Sequence, residues 1–590
     1  MKIKKRELYT TLEDLVKNEA QYKPKESYAF DYKNAADILR KAMQEKQQIT
    51  IVGDYDCDGI SASAIMFLLL KYFGVEAKIR LPLRFAEGYG LSEKIIDEID
   101  DGLVFTVDNG IAANAAIKKA KAKGLTVVVT DHHLPNFDGN GNMVLPEADC
   151  IIDPHIEEIS GKTTYGFYDY CGAGIALKFA EELLPRKTDF MVEIGLLPKL
   201  YSIAAVATVA DRVPVKGDNK NIVIKGLQAI ADGKTTAGLF SLFKGNKIDV
   251  LEIPTVLPAH HVITADKIGF KIAPCINAPA RMVENEGTGR FDFVSAGGDG
   301  AKISLKCLLS DDDTADAAFM AKVLLVYNTE RQKLTDRSAS RALAAIKDEH
   351  LEKDCPIVVY VPEMHPGIIG IVAARIDEIF GVPAVVVTGE GVCTGSCRVP
   401  EMLTDRGVHM KKLLDEASQY LVRYGGHKGA AGLSVEKDKI GELRDALQKA
   451  YKKLYADVEI DLTPVYDFEI DAKDVPYALS TTSDILSPYG ADNPEPIFLV
   501  RNFQVDEIRT MAGKSAAENE APKHMKLCSG DVSALLFNVD TEKLLQEIHV
   551  GDSVDFLCTL NYNTFRGEVA AQIMVQQLVS PDIEPEEYLL

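Results

Sequence analysis

Five short apolar runs in the first 211 residues each stop at an acidic or imidazole side chain. Ile51-Val52-Gly53 leads into Asp54-Tyr55-Asp56-Cys57-Asp58-Gly59, and Val104-Phe105-Thr106-Val107 into Asp108-Asn109-Gly110. Val127-Val128-Val129-Thr130 precedes Asp131-His132-His133, and Cys150-Ile151-Ile152 precedes Asp153-Pro154-His155. Ala207-Thr208-Val209-Ala210 ends at Asp211. Each run predicts a strand that stops at the polar cluster. Ile49–Val52 is the first strand, and helical spacing predicts helices over 35–46, Ser61–Phe73, Glu93–Ile99 and Ala112–Ala122. Strands alternating with helices of this size predict a doubly wound parallel sheet. Gly74, Gly124 and Gly172 fall where turns or caps are expected. In open α/β sheets ligands bind outside the carboxyl ends of the strands. That edge would carry carboxylates and neutral imidazoles, which suit Mg²⁺ or Mn²⁺.

The pattern changes along the chain. Residues 1–30 read as a polar leader, 31–300 as the first domain with helices and loops over 216–300, and 310–347 as one long helix within a connection over 301–350. A second α/β domain is expected over 351–460. Its strands are Pro356–Val361 and Ala384–Val387, with a helix at Ile368–Phe380 between them. From 464 to 590 the strands are short: Phe498–Val505, His524–Cys528, Ser533–Asn538 and Ser553–Leu560. They predict a small β-barrel, with 511–523 as a mobile inter-strand loop.

Composition narrows the class. At 590 residues, 46% apolar and 26% charged, the chain is too long for one core and reads as about three globular domains. No apolar run reaches the length of a bilayer. The basic start Met1-Lys2-Ile3-Lys4-Lys5-Arg6 has no apolar stretch behind it, so no secretory signal is expected. Ten scattered cysteines form no CxxC pair, which predicts free thiols in a reducing cytoplasm. A net charge of −22 argues against coating nucleic acid with the whole surface. It leaves room for a local basic channel, and bound cations would offset an acidic site.

Each cluster has an ordinary role in isolation. Asp54, Asp56 and Asp58 suit an N-capping turn, Asp108 a strand-end cap, and His132-His133 a surface pair. Asp211 suits a helix-end carboxylate, solvated or paired with Arg212. Three carboxylates within five residues repel one another, however, and a cation relieves that repulsion. Their conjunction with the later strand-end and helix-end acids points to metal ions.

The motifs Asp54–Gly59, Asp108-Asn109-Gly110, Asp131-His132-His133 and Thr208–Asp211 resemble the four motifs of the DHH phosphoesterase superfamily. Further segments resemble its RecJ branch of single-stranded-DNA-specific exonucleases. These are Arg84–Leu91, Ile276–Met282, His365–Gly370, Gly425–Gly432, Gly490–Pro496 and Phe565-Arg566-Gly567. The resemblance implies a DHH domain, a long linking helix, a DHH-associated domain facing the metals across a cleft, and a terminal OB-fold. It implies that Asp56 holds one divalent cation, that Asp58 holds a second, and that Asp108 bridges the two. His132 and Asp211 would complete the second site, with Asp54 and His133 as weak ligands or supporting groups. Arg84, Arg281, Ser396 and Arg398 would contact backbone phosphates, and His427 the scissile region. For a lone arginine the commoner role is a surface ion pair, and for the run Gly425–Gly432 it is a turn before a helix. Tyr562 and Phe565 are candidates for base stacking or for barrel core.

Four positions depart from the family pattern. Glycine is usual at Ala280 and Cys397, serine at Val399, and Pro279 is atypical. They touch the expected substrate cleft rather than the ligands. The resemblance implies 5′-to-3′ degradation of single-stranded DNA to 5′-mononucleotides by two Mn²⁺ or Mg²⁺ ions, in recombination and repair. A helicase and a single-strand-binding protein would be the partners. The alternatives are a DHH hydrolase of short oligoribonucleotides or nucleotide phosphates, and a non-catalytic replisome scaffold.

Overall fold

The computed structural model describes residues 3–6, 8, 11–22, 32–161, 167–184, 195–248, 257–282, 300–311, 315–458, 463–511, 522–565 and 568–579. Two compact units emerge: residues 1–280, 285–325 and 463–590 form one, and residues 281–284 and 326–462 form the other. Among the described residues no helix is long and apolar enough to cross a membrane.

In the first unit, β1 (Ile49–Val52), β2 (Ala77–Arg80), β3 (Leu103–Val107), β4 (Thr126–Thr130) and β5 (Cys150–Ile152) form one parallel sheet, in the order β2-β1-β3-β4-β5. Every residue of β1 and β3 is buried, as expected of central strands covered on both faces. The register pairs Val52 with Thr106, Thr106 with Val129, and Thr130 with Ile152. The residues that follow those pairs therefore leave the sheet along one edge. The strand order reverses at β1, so that edge contains a topological switch point.

Behind the sheet lie three helices: α1 (Cys57–Tyr72), α2 (Gly172–Leu183) and α3 (Leu197–Ala210). All three bury most of their circumference, which suits their nearly continuous apolar composition. Two sequence expectations change here. The run Ala207–Ala210 is the last turn of α3, not a strand, because short apolar runs do not distinguish a buried helix from a buried strand. Gly172 is not a turn residue but the first residue of α2.

The expected helix over 310–347 is the 34-residue α4 (Ala315–Asp348), and a separate helix, Gly300–Leu309, precedes it. In the second unit the strands are β6 (Ile357–Tyr360), β7 (Ala384–Thr388), β8 (Val392–Arg398), β9 (Arg423–Gly426) and β10 (Ala430–Glu436), in the order β9-β10-β8-β7-β6. Helix α5 (Ile369–Phe380) connects β6 to β7. The glycine-rich run Gly425–Gly432 joins two antiparallel strands and does not precede a helix. Along β8 the side chains alternate, with Cys393 and Cys397 fully buried. Cys397 and Val399 join the core of this unit, on the face opposite Ser396 and Arg398. All four family departures are thus buried, since Pro279 and Ala280 are buried in the helix Ala273–Met282.

The C-terminal part of the first unit is a mixed sheet of β11 (Phe468–Asp471), β12 (Phe498–Gln504), β13 (Glu507–Met511), β14 (His524–Ser529), β15 (Val532–Phe537), β16 (Ser553–Phe565) and β17 (Glu568–Val579), in the order β11-β12-β16-β17-β15-β14-β13. It shares a core with the helix Val475–Leu486. The loop expected over 511–523 lies mostly outside the described residues.

Residues 1–30, expected as a leader, are built into this C-terminal part where they are described. Lys4–Lys5 pairs in parallel with Val465–Tyr466, and Ile3 is buried with Tyr466, Leu499, Leu557 and Val579. Arg6 grips Asp467 through Nε at 2.8 Å and through Nη2. Leu15 enters the core of the mixed sheet. The remaining positions of that segment, 1–2, 7, 9–10 and 23–30, lie outside the described residues. The Nζ of Lys220, only 4% exposed, donates to Tyr22 O at 3.1 Å, Ile485 O at 2.8 Å and Leu486 O at 2.9 Å. Three stretches of the chain thus meet on one ammonium, two of its acceptors lying at the negative end of a helix.

Candidate metal centre

The loop after β1 packs tightly against the start of α1. A Cβ on Gly53 would lie 2.0 Å from Ser63 Oγ, and one on Gly59 2.6 Å from the Asp54 nitrogen. This compression sends the three carboxylates of the loop in different directions. Asp56 caps α1, accepting from the N–H groups of Asp58 and Gly59 at 3.1 Å each. Asp54 turns inward and accepts from Gly90 N at 3.1 Å. Asp58 accepts from Gly172 N at 2.6 Å and Ala173 N at 2.8 Å, so the start of α2 fixes its orientation.

Asp108, just beyond β3, has φ +62°, a backbone region unusual for a residue other than glycine. Asn109 helps hold it there, donating to Val52 O and Val107 O and accepting from Leu91 N. From the end of β4, His132 places Nε2 3.0 Å from Asp108 Oδ1, 3.6 Å from Asp58 Oδ2 and 3.7 Å from Asp211 Oδ2. Asp211 arrives from the C-cap of α3. Two overlapping trios result, Asp58/His132/Asp211 and Asp108/His132/His133, each with ligand atoms within 4.8 Å of one another.

Asp131 supports this group. It accepts from Ile111 N at 2.9 Å and His132 N at 2.8 Å, and its Oδ1 lies 2.8 Å from His133 Nδ1. The Tyr89 hydroxyl donates to Asp108 O at 2.6 Å and sits 2.9 Å from His133 Nδ1. Cys57 N donates to Asn277 Oδ1 at 2.8 Å, which anchors the aspartate loop from the helix Ala273–Met282. Sequence reasoning assigned no role to Tyr89, Asn109, Asp131, Gly172 or Asn277. Tyr89, Asn109, Asp131 and Asn277 lay inside quoted motifs, whereas Gly172 was expected only as a turn or cap.

Electrostatics explain what the cluster requires. Burial, followed by neighbouring carboxylates, pushes the Asp54, Asp56, Asp108 and Asp211 carboxyls above their usual range. Burial, then the charge of His133, draws His132 down to about 4, which favours a neutral imidazole. His133 goes the other way: against burial, the bond to Asp131 lifts it to about 9. Among the described residues, buried Asp54 Oδ2, Asp108 Oδ1 and His132 Nε2 have no hydrogen-bond partner. Buried polar atoms are rarely left so. Unpaired carboxylate oxygens around a neutral imidazole nitrogen fit hard divalent cations such as Mn²⁺ or Mg²⁺.

The expected phosphate contacts fall in both units. In the first, the Arg84 guanidinium lies 4.8 Å over the ring of Tyr55, beside the aspartate loop. In the second, Arg281 Nη1 donates to Gly367 O at 3.4 Å. A Cβ on Gly370 would lie 3.0 Å from both Arg398 Nη2 and Ser396 Oγ. Arg281, Ser396 and Arg398 thus surround one short segment, residues 367–370, while His427 occupies the exposed turn between β9 and β10. Tyr562 stacks on His261 with centroids 5.7 Å apart and packs against the core, so its ring is already engaged. The Phe565 side chain and Arg566-Gly567 lie outside the described residues.

Family models match three segments in order: the DHH family N-terminal domain over 48–208, the DHHA1 domain over 354–453 and the RecJ OB domain over 466–577. The chain is 28% identical over 554 residues to the single-stranded-DNA-specific exonuclease RecJ of Bacillus subtilis, covering 92% of this chain and 63% of that protein. With its counterpart from Dickeya dadantii it is 28% identical over 565 residues, covering 92% and 89%. A crystal structure of exonuclease RecJ bound to manganese superposes with a TM-score of 0.54 at 28% identity, over 71% of this chain and 94% of that one. Thermus thermophilus RecJ in complex with Mn²⁺ shares the fold, with a TM-score of 0.68 at 24% identity, over 93% and 72%.

Proposed function

The chain belongs to the RecJ family of DHH phosphoesterases, and on that premise we propose that it is a metal-dependent exonuclease acting on single-stranded DNA. It degrades the strand from the 5′ end and releases 5′-mononucleotides, in the cytoplasm, as part of recombination and repair. A helicase and a single-strand-binding protein supply and present its substrate. One observation carries this reading: Asp58, Asp108 and Asp211 converge on a part-buried, neutral His132 whose Nε2 has no hydrogen-bond partner among the described residues.

Asp56, Asp58, Asp108, His132 and Asp211 hold two divalent cations, with Asp54 and His133 supporting them. When bound, such ions lower the pKa of a water ligand and stabilise charge at the phosphorus in an in-line displacement. The protein supplies the geometry. The start of α2 fixes Asp58, the left-handed backbone aims Asp108, and Asp131 sets the ring orientation of His133. Arg84, Arg281, Ser396, Arg398 and His427 bind backbone oxygens, a role the guanidinium fork suits. The match to a RecJ OB domain weighs against an oligoribonuclease, and the clustering of Asp58, Asp108, His132 and Asp211 weighs against a scaffold.

Digestion of single strands labelled at either end tests this. With Mn²⁺, a 5′ label is expected to appear at once as mononucleotide, while a 3′ label stays in progressively shorter strands. Chelation with EDTA is expected to stop both. Release of 3′-labelled mononucleotide first, or cleavage that survives EDTA, would refute the proposal.

A further inference from the structure

The turn after β9 carries a second basic element beside the expected phosphate contacts of the second unit. Val399 N, one residue beyond Arg398, donates to Gly429 O at 3.0 Å. Met410 N donates to Lys428 O at 2.9 Å and begins helix α6 (Met410–Glu416). Backbone bonds therefore tie the strand end that bears Ser396 and Arg398 to the turn of His427 and Lys428, and that turn to His409 and Lys412. His427, Lys428 and Lys412 are exposed. Among the described residues no carboxylate lies within ion-pair distance of Lys412 or Lys428.

The surroundings are consistent with a cationic lane. Burial, then the charges of Lys412 and Lys428, hold His409 below its usual range. Lys411 faces the same region but is committed. It bonds Asp415 at 2.7 Å and lies 5.3 Å over the ring of Tyr424, whose hydroxyl also bonds Asp415. Asp415 is the one carboxylate among the groups acting on His409, and Lys411 and Tyr424 already occupy it. Two uncommitted lysines on the surface of a chain with net charge −22 fit a polyanion better than any acidic neighbour of their own. Single-strand binding grooves combine such a positive track with nearby aromatic rings.

We propose that Lys428 and Lys412 continue the phosphate-binding line that Arg398 and Ser396 begin, and hold two backbone phosphates of the single strand beyond the segment bound at Arg398. This rests on the exonuclease reading above. Both lysines are positioning residues, because they touch the strand away from the reacting phosphate.

Salt dependence tests it. The full chain, kept free of divalent ions so that no cleavage occurs, is titrated with a fluorescent single-stranded oligonucleotide over a range of salt concentrations. Each phosphate contact contributes about 0.7 to the slope of log affinity against log salt on a single strand. The Lys412→Gln/Lys428→Gln variant is expected to bind more weakly at low salt, with a slope shallower by about 1.4. Lys449→Gln/Lys452→Gln removes two exposed charges elsewhere on the unit and is expected to keep the wild-type slope. Equal slopes for both variants and wild type would overturn the inference and leave the exonuclease reading standing. A wild-type chain with no measurable affinity for single strands would overturn both.

Discussion

Asp108→Asn is expected to keep the fold and lose at least roughly 10³-fold in turnover with Mn²⁺, since a metal ion supplies several kcal/mol of transition-state stabilisation. Asparagine is the informative replacement because Asp108 has φ +62°, and asparagine tolerates left-handed backbone better than alanine does. The change removes one negative charge and leaves the shape. Asp108 Oδ1, buried without a hydrogen-bond partner among the described residues, stands 3.0 Å from His132 Nε2. An amide there binds a divalent cation far less well than a carboxylate. The check is turnover on a labelled strand, with circular dichroism to show the fold. Turnover within about tenfold of wild type would separate Asp108 from the chemistry.

Gly172→Ala is expected to damage the same centre without replacing a ligand. The added Cβ would sit 2.4 Å from Asp108 Cβ and 2.7 Å from Asp108 Oδ1. Relief requires the start of α2 to withdraw, but the N–H groups of Gly172 and Ala173 hold Asp58 at 2.6 and 2.8 Å. Asp58 and Asp108 would therefore shift together. Overpacking of this kind costs about 1–3 kcal/mol, and a displacement of about 1 Å at a reacting centre costs on the order of 10²-fold in rate. A lowered thermal midpoint together with slow turnover is the expected result. Wild-type turnover would mean that the contact between Gly172 and Asp108 does not position the site.

The parallel sheet was legible because its strands are short, apolar and cut off by charge. Ile49–Val52 appears with the same bounds in sequence and structure, and Ile357–Tyr360 lies within the expected Pro356–Val361. Part of the acidic and imidazole cluster was legible in the same way: Asp108 directly follows β3, Asp211 directly follows α3, and His132 stands two residues beyond β4. Three things were hidden, each for a physical reason. Ala207–Ala210 is helical, and four apolar residues fit either period. Lys4–Lys5 pairs with Val465–Tyr466 across the length of the chain, and no local pattern encodes a partner so distant. Gly172 binds Asp58 through its backbone N–H, a group that every residue except proline possesses, so only the fold identifies which one is used. Tyr562 illustrates the converse. An aromatic ring in a terminal β-domain invites a nucleobase, but here His261 already stacks on it.

The claim on which the account depends is that the amino-terminal carboxylates and His132 hold two divalent cations. Anomalous scattering from crystals grown with manganese tests it most directly. The account predicts two manganese peaks among Asp56, Asp58, Asp108, His132 and Asp211, with the Asp108 carboxylate shared between them. A map with no peak among those side chains, at a manganese concentration that supports cleavage in solution, would contradict it.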